Sequence, residues 1–173
     1  MHVKRKTIIA DIRNGGLRMI HFESMLKAVK INWIKRFILN DSNHNILASE
    51  LSGFRIPLMD IIQLNLNENN IQCKDPFYQQ IFEFWFSIYN KPITNASDAY
   101  NQLIWYNNQI MIDNRLVYKK EWWENGIKHI YDLIADDGKI KTIQILENKF
   151  HISINVMEYN SLIHAIPKAW KNS

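Results

Sequence analysis

The sequence predicts a mainly α-helical fold, a compact multi-helix domain with one or two short β-hairpins. Three observations lead there. Apolar residues recur at steps of three and four over several long segments. Helix-start residues precede those segments. Only short alternating runs, each broken by turn residues, read as strands. The 173 residues suit one ordinary domain, and 47% are apolar, with six Trp, seven Tyr and eight Phe, which is ample material for a core.

The elements follow in chain order. Residues 4–20 read as an extended basic arm, a turn at Asn14-Gly15-Gly16 and a second extended piece, with Ile8, Ile9, Leu17 and Met19 forming a small hairpin. Gly15-Gly16 is also compatible with close approach of a phosphate to the backbone, though a lone glycine pair signals a turn first. A helix is expected from Phe22 to Leu39. Phe22, Leu26, Val29, Trp33 and Phe37 form one stripe and Ile31, Ile34 and Ile38 a second, so this helix is expected between two neighbours. Trp33 lies on the packing stripe and reads as core, with base stacking as the rival role. Lys27 and Lys30 lie close together, whereas Arg36 points elsewhere.

After a polar loop at 40–45, Pro57 starts a helix carrying Leu58, Ile61 and Ile62, with Leu64 to Leu66 as an optional extension. An Asn-rich loop follows at 65–70. Asp75-Pro76 combines a capping acceptor with a first-turn proline. It opens a helix bearing Phe77, Tyr78, Ile81, Phe82, Trp85, Phe86, Ile88 and Tyr89, and Lys91-Pro92 closes it. So much aromatic area reads as the centre of the core; no Lys or Arg interleaves to make a base-stacking platform.

Ser97 to Leu103 reads as a short helix, and residues 110–118 as a hairpin around Asp113-Asn114-Arg115. Glu121 to Ala135 has helical spacing, with Gly126 marking a kink or a junction between two shorter helices. Asp136-Asp137-Gly138-Lys139 is a turn. Thr142 caps a helix burying Ile145, Leu146 and Phe150. Asn155 and Glu158 make a capping box for the last helix, whose apolar face is Tyr159, Leu162, Ile163 and Ile166 and which Pro167 stops.

Charge is unevenly distributed. Residues 1–40 hold nine Lys and Arg against Asp11 and Glu23, a net of +7, and the remaining chain is −3. A polyanion-binding surface therefore belongs at the N-terminal end. The rival reading is a solvated basic arm with no partner. Cys73 stands alone, which excludes an intrachain disulfide framework and a thiolate cluster and fits a reducing intracellular compartment, cytoplasm or nucleus. The six histidines show no metal-ligand spacing. No P-loop, nucleophile elbow or dinucleotide fingerprint is present, and no apolar run approaches the ~18 residues of a membrane span. Ala135-Asp136-Asp137 looks superficially like a polymerase metal loop, but no aromatic precedes it and it follows a helix, so a solvated turn is expected. No catalytic residue, metal or cofactor is assigned.

Two blocks carry a family resemblance. The first is the Lys4-Arg5-Lys6 arm, Asn14-Gly15-Gly16-Leu17-Arg18-Met19, Phe22-Glu23-Ser24 and Leu26-Lys27 through Trp33-Ile34-Lys35-Arg36. The second is Leu103-Ile104-Trp105-Tyr106-Asn107, Tyr118-Lys119-Lys120-Glu121-Trp122, Ile130-Tyr131-Asp132-Leu133 and His164-Ala165-Ile166-Pro167-Lys168-Ala169-Trp170. In order and separation they resemble the replicase of non-LTR (LINE-like) retrotransposons downstream of its polymerase palm. The resemblance implies the end of the thumb over residues 1–40 and the following helical region over 41–173. It implies a fragment or truncated descendant of a larger reverse transcriptase, either a reading frame from a decayed element or an excised domain. Such a segment lacks fingers, palm and endonuclease and is catalytically inactive. Its implied partners are template RNA and target DNA, held without sequence specificity, and the upstream polymerase domain; no membrane is implied. The candidate phosphate contacts are Lys4, Arg5, Lys6, Arg13, Arg18, Lys27, Lys30, Lys35 and Arg36, with Gly15 and Gly16 shaping the turn. The alternative is a helical protein-interaction module or structural remnant with an exposed apolar patch and no nucleic-acid role.

Overall fold

The computed structural model describes residues 9–14, 18, 21–39, 50–51, 53–67, 70–89, 93, 96–135 and 138–171. Among the described residues its α-helices are α1 (Phe22–Leu39), α2 (Leu58–Ile61), α3 (Pro76–Tyr89), α4 (Ala96–Ala99), α5 (Lys120–Glu124), α6 (Ile130–Leu133), α7 (Ile143–Phe150) and α8 (Val156–Ala165). A two-stranded antiparallel sheet, β1 (Met111–Ile112) and β2 (Arg115–Leu116), lies between α4 and α5. The fold is thus mainly α with one short hairpin among the described residues.

Local chemistry explains most boundaries. The Asp75 carboxylate accepts the Phe77 N–H at 2.7 Å, so α3 begins where Asp-Pro places it. The hairpin turns on Asp113 and Asn114, both with φ above +50°, a conformation these residue types tolerate and one that matches strand twist. Gly126 separates α5 from α6, deciding for a junction. Its φ is +95°. The Gly126 N–H reaches the Trp123 carbonyl at 3.1 Å and the Ile127 N–H reaches Trp122 at 2.9 Å, the paired bonds of a Schellman end. Asn155 caps α8 by accepting from Met157 and Glu158, but the Glu158 carboxylate reaches across to Lys119 and does not complete a capping box.

The core centres on α3 and the stretch 103–134. Ile81, Phe82, Ile104, Trp105, Ile110, Ile127 and Leu146 have no exposed surface. A buried indole N–H usually finds an acceptor. Trp105 donates to Ile127 at 2.7 Å, Trp85 to Ile62 at 2.8 Å and Trp170 to Ile93 at 3.2 Å. The two buried polar side chains among the described residues are similarly matched. Asn107 donates to the Leu103 carbonyl at 2.8 Å and accepts from Gln109 at 2.9 Å. Asp132 accepts from the Lys128 and His129 N–H groups at 2.9 and 2.8 Å.

Several expectations need correction. The helix expected over 97–103 stops at Ala99. Leu103 forms an antiparallel bridge with His129, and Ile104 N–H donates to Lys128 at 2.9 Å. Leu103, Ile104 and Trp105 are buried in succession, which an extended segment accommodates and one helix face does not. On α7, Leu146 is buried but Ile145 is 48% exposed. The helix α1 is not enclosed: Ile34 and Phe37 are buried, whereas Phe22 and Val29 are more than half exposed. The Ala135 turn closes through Ala135 N–H to Lys139 at 2.7 Å and an isolated Ile134–Ile140 bridge. Asp136, Asp137, the 40–45 loop and Lys91-Pro92 lie outside the described residues, as do Ile8, Leu17 and Met19 of the expected N-terminal hairpin. The described part of that hairpin holds a 3-10 turn at Ile12–Asn14 and one closing bond, Arg18 N–H to Ala10 at 3.0 Å.

Candidate nucleic-acid interface

The basic helix α1 packs lengthwise on α3. Its anchor is aromatic: Trp33 meets Phe77 edge-on with ring centres 5.7 Å apart, and Phe37 meets Tyr78 at 6.1 Å. This leaves Trp33 half-buried in a packing role, with the Arg36 guanidinium 5.2 Å over its ring. The anchor lies in the C-terminal half of α1, so the N-terminal turns carry both their charges and their apolar side chains near the surface.

Lys27 and Lys30 converge. Their ammonium groups lie 5.4 and 5.2 Å from the centre of the Phe84 ring on α3, and Lys30 also donates to the Gln80 side chain. A cation over a ring face gains about 0.5–1 kcal/mol at an exposed site, enough to bias where a flexible side chain sits. The cleft around them, about 460 Å³, is also lined by Glu23 and Glu83. Counting cations along the sequence misses this: α3 brings a carboxylate to the two lysines.

The other predicted contacts are spread more widely. Arg36 is nine positions beyond Lys27, about 180° around a helix of 3.6 residues per turn. Lys35 is exposed on a second groove, about 580 Å³, which Lys27 also lines together with Ile31, Ile34, Ile38 and Trp85. Arg13 and Arg18 are exposed on the N-terminal turn, where the Arg13 N–H donates to Asp11 at 3.0 Å. Arg18 itself has φ +51°. Lys4, Arg5, Lys6, Gly15 and Gly16 lie outside the described residues. Sequence reasoning missed Phe84 and Gln80; both read as part of an aromatic core helix, and only the α1–α3 packing shows them under the lysines.

Exposed apolar side chains share α1 with these cations. Phe22 (62% exposed), Met25, Leu26 and Val29 (54%) stand at positions i, i+3, i+4 and i+7, one continuous stripe.

Burial holds the His129 imidazole below its ordinary pKa, opposed by the Asp132 carboxylate 3.8 Å away. Burial, then the charges of Glu50, Glu83 and Asp75, push the Cys73 thiol up to about 11, so it is not a thiolate nucleophile at neutral pH. Among the described residues no three His, Cys, Asp or Glu side chains gather as a metal site, and no helix is long and apolar enough to cross a membrane. No protein-family model, curated protein or solved structure matches the chain.

Proposed function

We propose that this chain is a catalytically inactive, nucleic-acid-holding helical segment of the kind that follows the polymerase domain in LINE-like reverse transcriptases. The observation that carries the reading is the convergence of Lys27 and Lys30 over Phe84, on the helix that closes the most basic stretch of the sequence. Two ammonium groups gathered at one ring can contact phosphates of RNA or DNA without reading bases. The residue resemblance supplies the family and the expected partners, template RNA and target DNA. The remaining candidate contacts, Lys35, Arg13, Arg18 and the Lys4-Arg5-Lys6 arm, would extend the contact along the backbone, whereas Arg36 lies on the opposite side of α1 from Lys27.

The test is binding of fluorescent single-stranded RNA and duplex DNA across a salt series. Affinity should fall linearly in log salt. Lys27→Gln with Lys30→Gln should reduce the slope by about 2 for the duplex, and Lys4/Arg5/Lys6→Glu should abolish binding. Absent or salt-insensitive binding by the folded chain refutes the reading.

The exposed stripe favours a second reading, a protein-interaction module that packs on another domain. It expects partner binding to survive high salt and to be lost on Phe22→Ser with Val29→Ser, the reverse of the nucleic-acid pattern.

A further inference from the structure

A cavity of about 310 Å³ opens between the hairpin, α5 and α8, and shares no residue with the basic helix. Trp105, Trp122 and Leu162 form its inner wall, each at most 5% exposed. The two indoles meet edge to face, ring centres 5.9 Å apart and planes at 89°, which makes the wall rigid. Ile112, Val117 and Met157 complete the apolar side. All the charge of the lining is at the rim, in one ion pair between Lys119 and Glu158. Ser161, one helical turn beyond Glu158 on α8, adds a hydroxyl.

This combination specifies a ligand. The volume is at the low end of the ~300–1,000 Å³ of small-molecule pockets, so it suits one branched aliphatic or single-ring body. The rim offers one cationic donor and one anionic acceptor. Their side chains are 43% and 41% exposed, and a pair that exposed contributes little to folding, so opening it to admit a ligand costs little. A ligand with a single charge would satisfy one partner and leave the other facing a repulsive or empty site. A matching head therefore carries both a donor for Glu158 and an acceptor for Lys119, close together on an apolar body.

We propose that the cavity binds one apolar amino-acid unit, its side chain against Trp105 and Trp122, its nitrogen toward Glu158 and its carboxyl or carbonyl oxygen toward Lys119. The unit can be a free amino acid, which offers charged groups, or a residue within a peptide, which offers neutral ones; both present a nitrogen donor and an oxygen acceptor close together on an apolar body. The cavity needs no nucleic-acid role for the chain.

The experiment follows methyl and indole NMR signals of the labelled full chain while titrating L-leucine, N-acetyl-L-leucinamide, isoamylamine and isocaproate. The last two keep the aliphatic body but offer only one charge. Saturable shifts at Trp122, Ile112 and Leu162 are expected for leucine or for the amide, with a dissociation constant on the order of 1 mM for so small a ligand. Leucine binding alone identifies a free amino acid, and amide binding alone identifies a peptide residue. Isoamylamine and isocaproate should bind about tenfold more weakly. Equal affinity for either of them overturns the assigned head, and no saturable shift overturns the site. Ser161→Trp, which fills the mouth, should remove the shifts while the spectrum stays folded. Should that variant fail to fold, Lys119→Met at the half-exposed rim provides the same test, and undiminished leucine or amide binding in either folded variant overturns the proposal.

Discussion

Replacing Gly126 by Ala is expected to destabilise the protein by about 1 kcal/mol, and the structure says why the effect is conformational. A Cβ built on Gly126 meets the Phe150 ring at 3.8 Å, ordinary van der Waals contact, so crowding adds nothing. The backbone is the obstacle. At φ +95° an L side chain costs roughly 1–2 kcal/mol. Alanine also restricts the unfolded chain, which offsets about 0.4–1 kcal/mol of that. A net loss of about 1 kcal/mol lowers the melting temperature of a chain this size by ~2–4 °C. Urea unfolding followed by tryptophan fluorescence reads the change as a lower midpoint at constant slope. Two controls isolate the cause. Gly53→Ala has open space and no positive φ, so it should be neutral or slightly stabilising. Gly126→Asn should cost less than Gly126→Ala, because Asn tolerates left-handed backbone. A stabilising Gly126→Ala, or equal losses at Gly53 and Gly126, would refute the Schellman junction between α5 and α6.

Three further outcomes are expected. Asn107→Ala removes a side chain that is 1% exposed, leaving the buried Leu103 carbonyl and the part-buried Gln109 N–H without their partner. The loss should be at least 1–3 kcal/mol by urea unfolding, and a loss under ~0.5 kcal/mol would contradict the burial. Cys73, with its thiol near 11 against 9.0 in an unhindered chain, should alkylate with iodoacetamide at pH 8 about 100-fold more slowly in the folded than in the urea-unfolded protein. Because burial lowers the folded-state pKa of His129, the unfolded state binds the proton more readily below 6.5. Its stabilising contribution is therefore fully present above 6.5 and is lost as pH falls toward the folded-state value. Stability measured from pH 8 down to 5 should decline less in His129→Gln than in the parent; parallel profiles would refute the assignment.

Much of the architecture could be read from local chemistry. Asp75-Pro76, Asn155, the turn at Asp113-Asn114 and the interruption at Gly126 each act within four or five residues, through a cap, a proline or a positive φ, so sequence neighbours suffice to specify them. The mainly helical class follows from the same local signals summed along the chain. The placement of charge at the N-terminal end was equally legible, because charge is a property of composition.

Tertiary structure alone decided which apolar residues were covered. The stripe on α1 predicts burial at Phe22 as well as Phe37, yet only its end beside Phe77 and Tyr78 is covered, while farther along α1 it is Lys27 and Lys30 that meet α3 at Phe84; periodicity states which residues share a face, not which face meets the neighbour. Leu103 left its helical spacing because His129 and Lys128, about 25 residues away, offered backbone partners. The candidate sites followed the same rule. Lys27 and Lys30 were visible as cations, but Phe84, which gathers them, and Glu83, which tempers them, arrive from α3. Lys119 and Glu158 are 39 residues apart and meet only because α8 packs beside the hairpin. Local conformation depends on interactions a few residues long and is written in sequence order; burial and side-chain convergence depend on contacts between distant segments, which exist only once the chain has closed on itself.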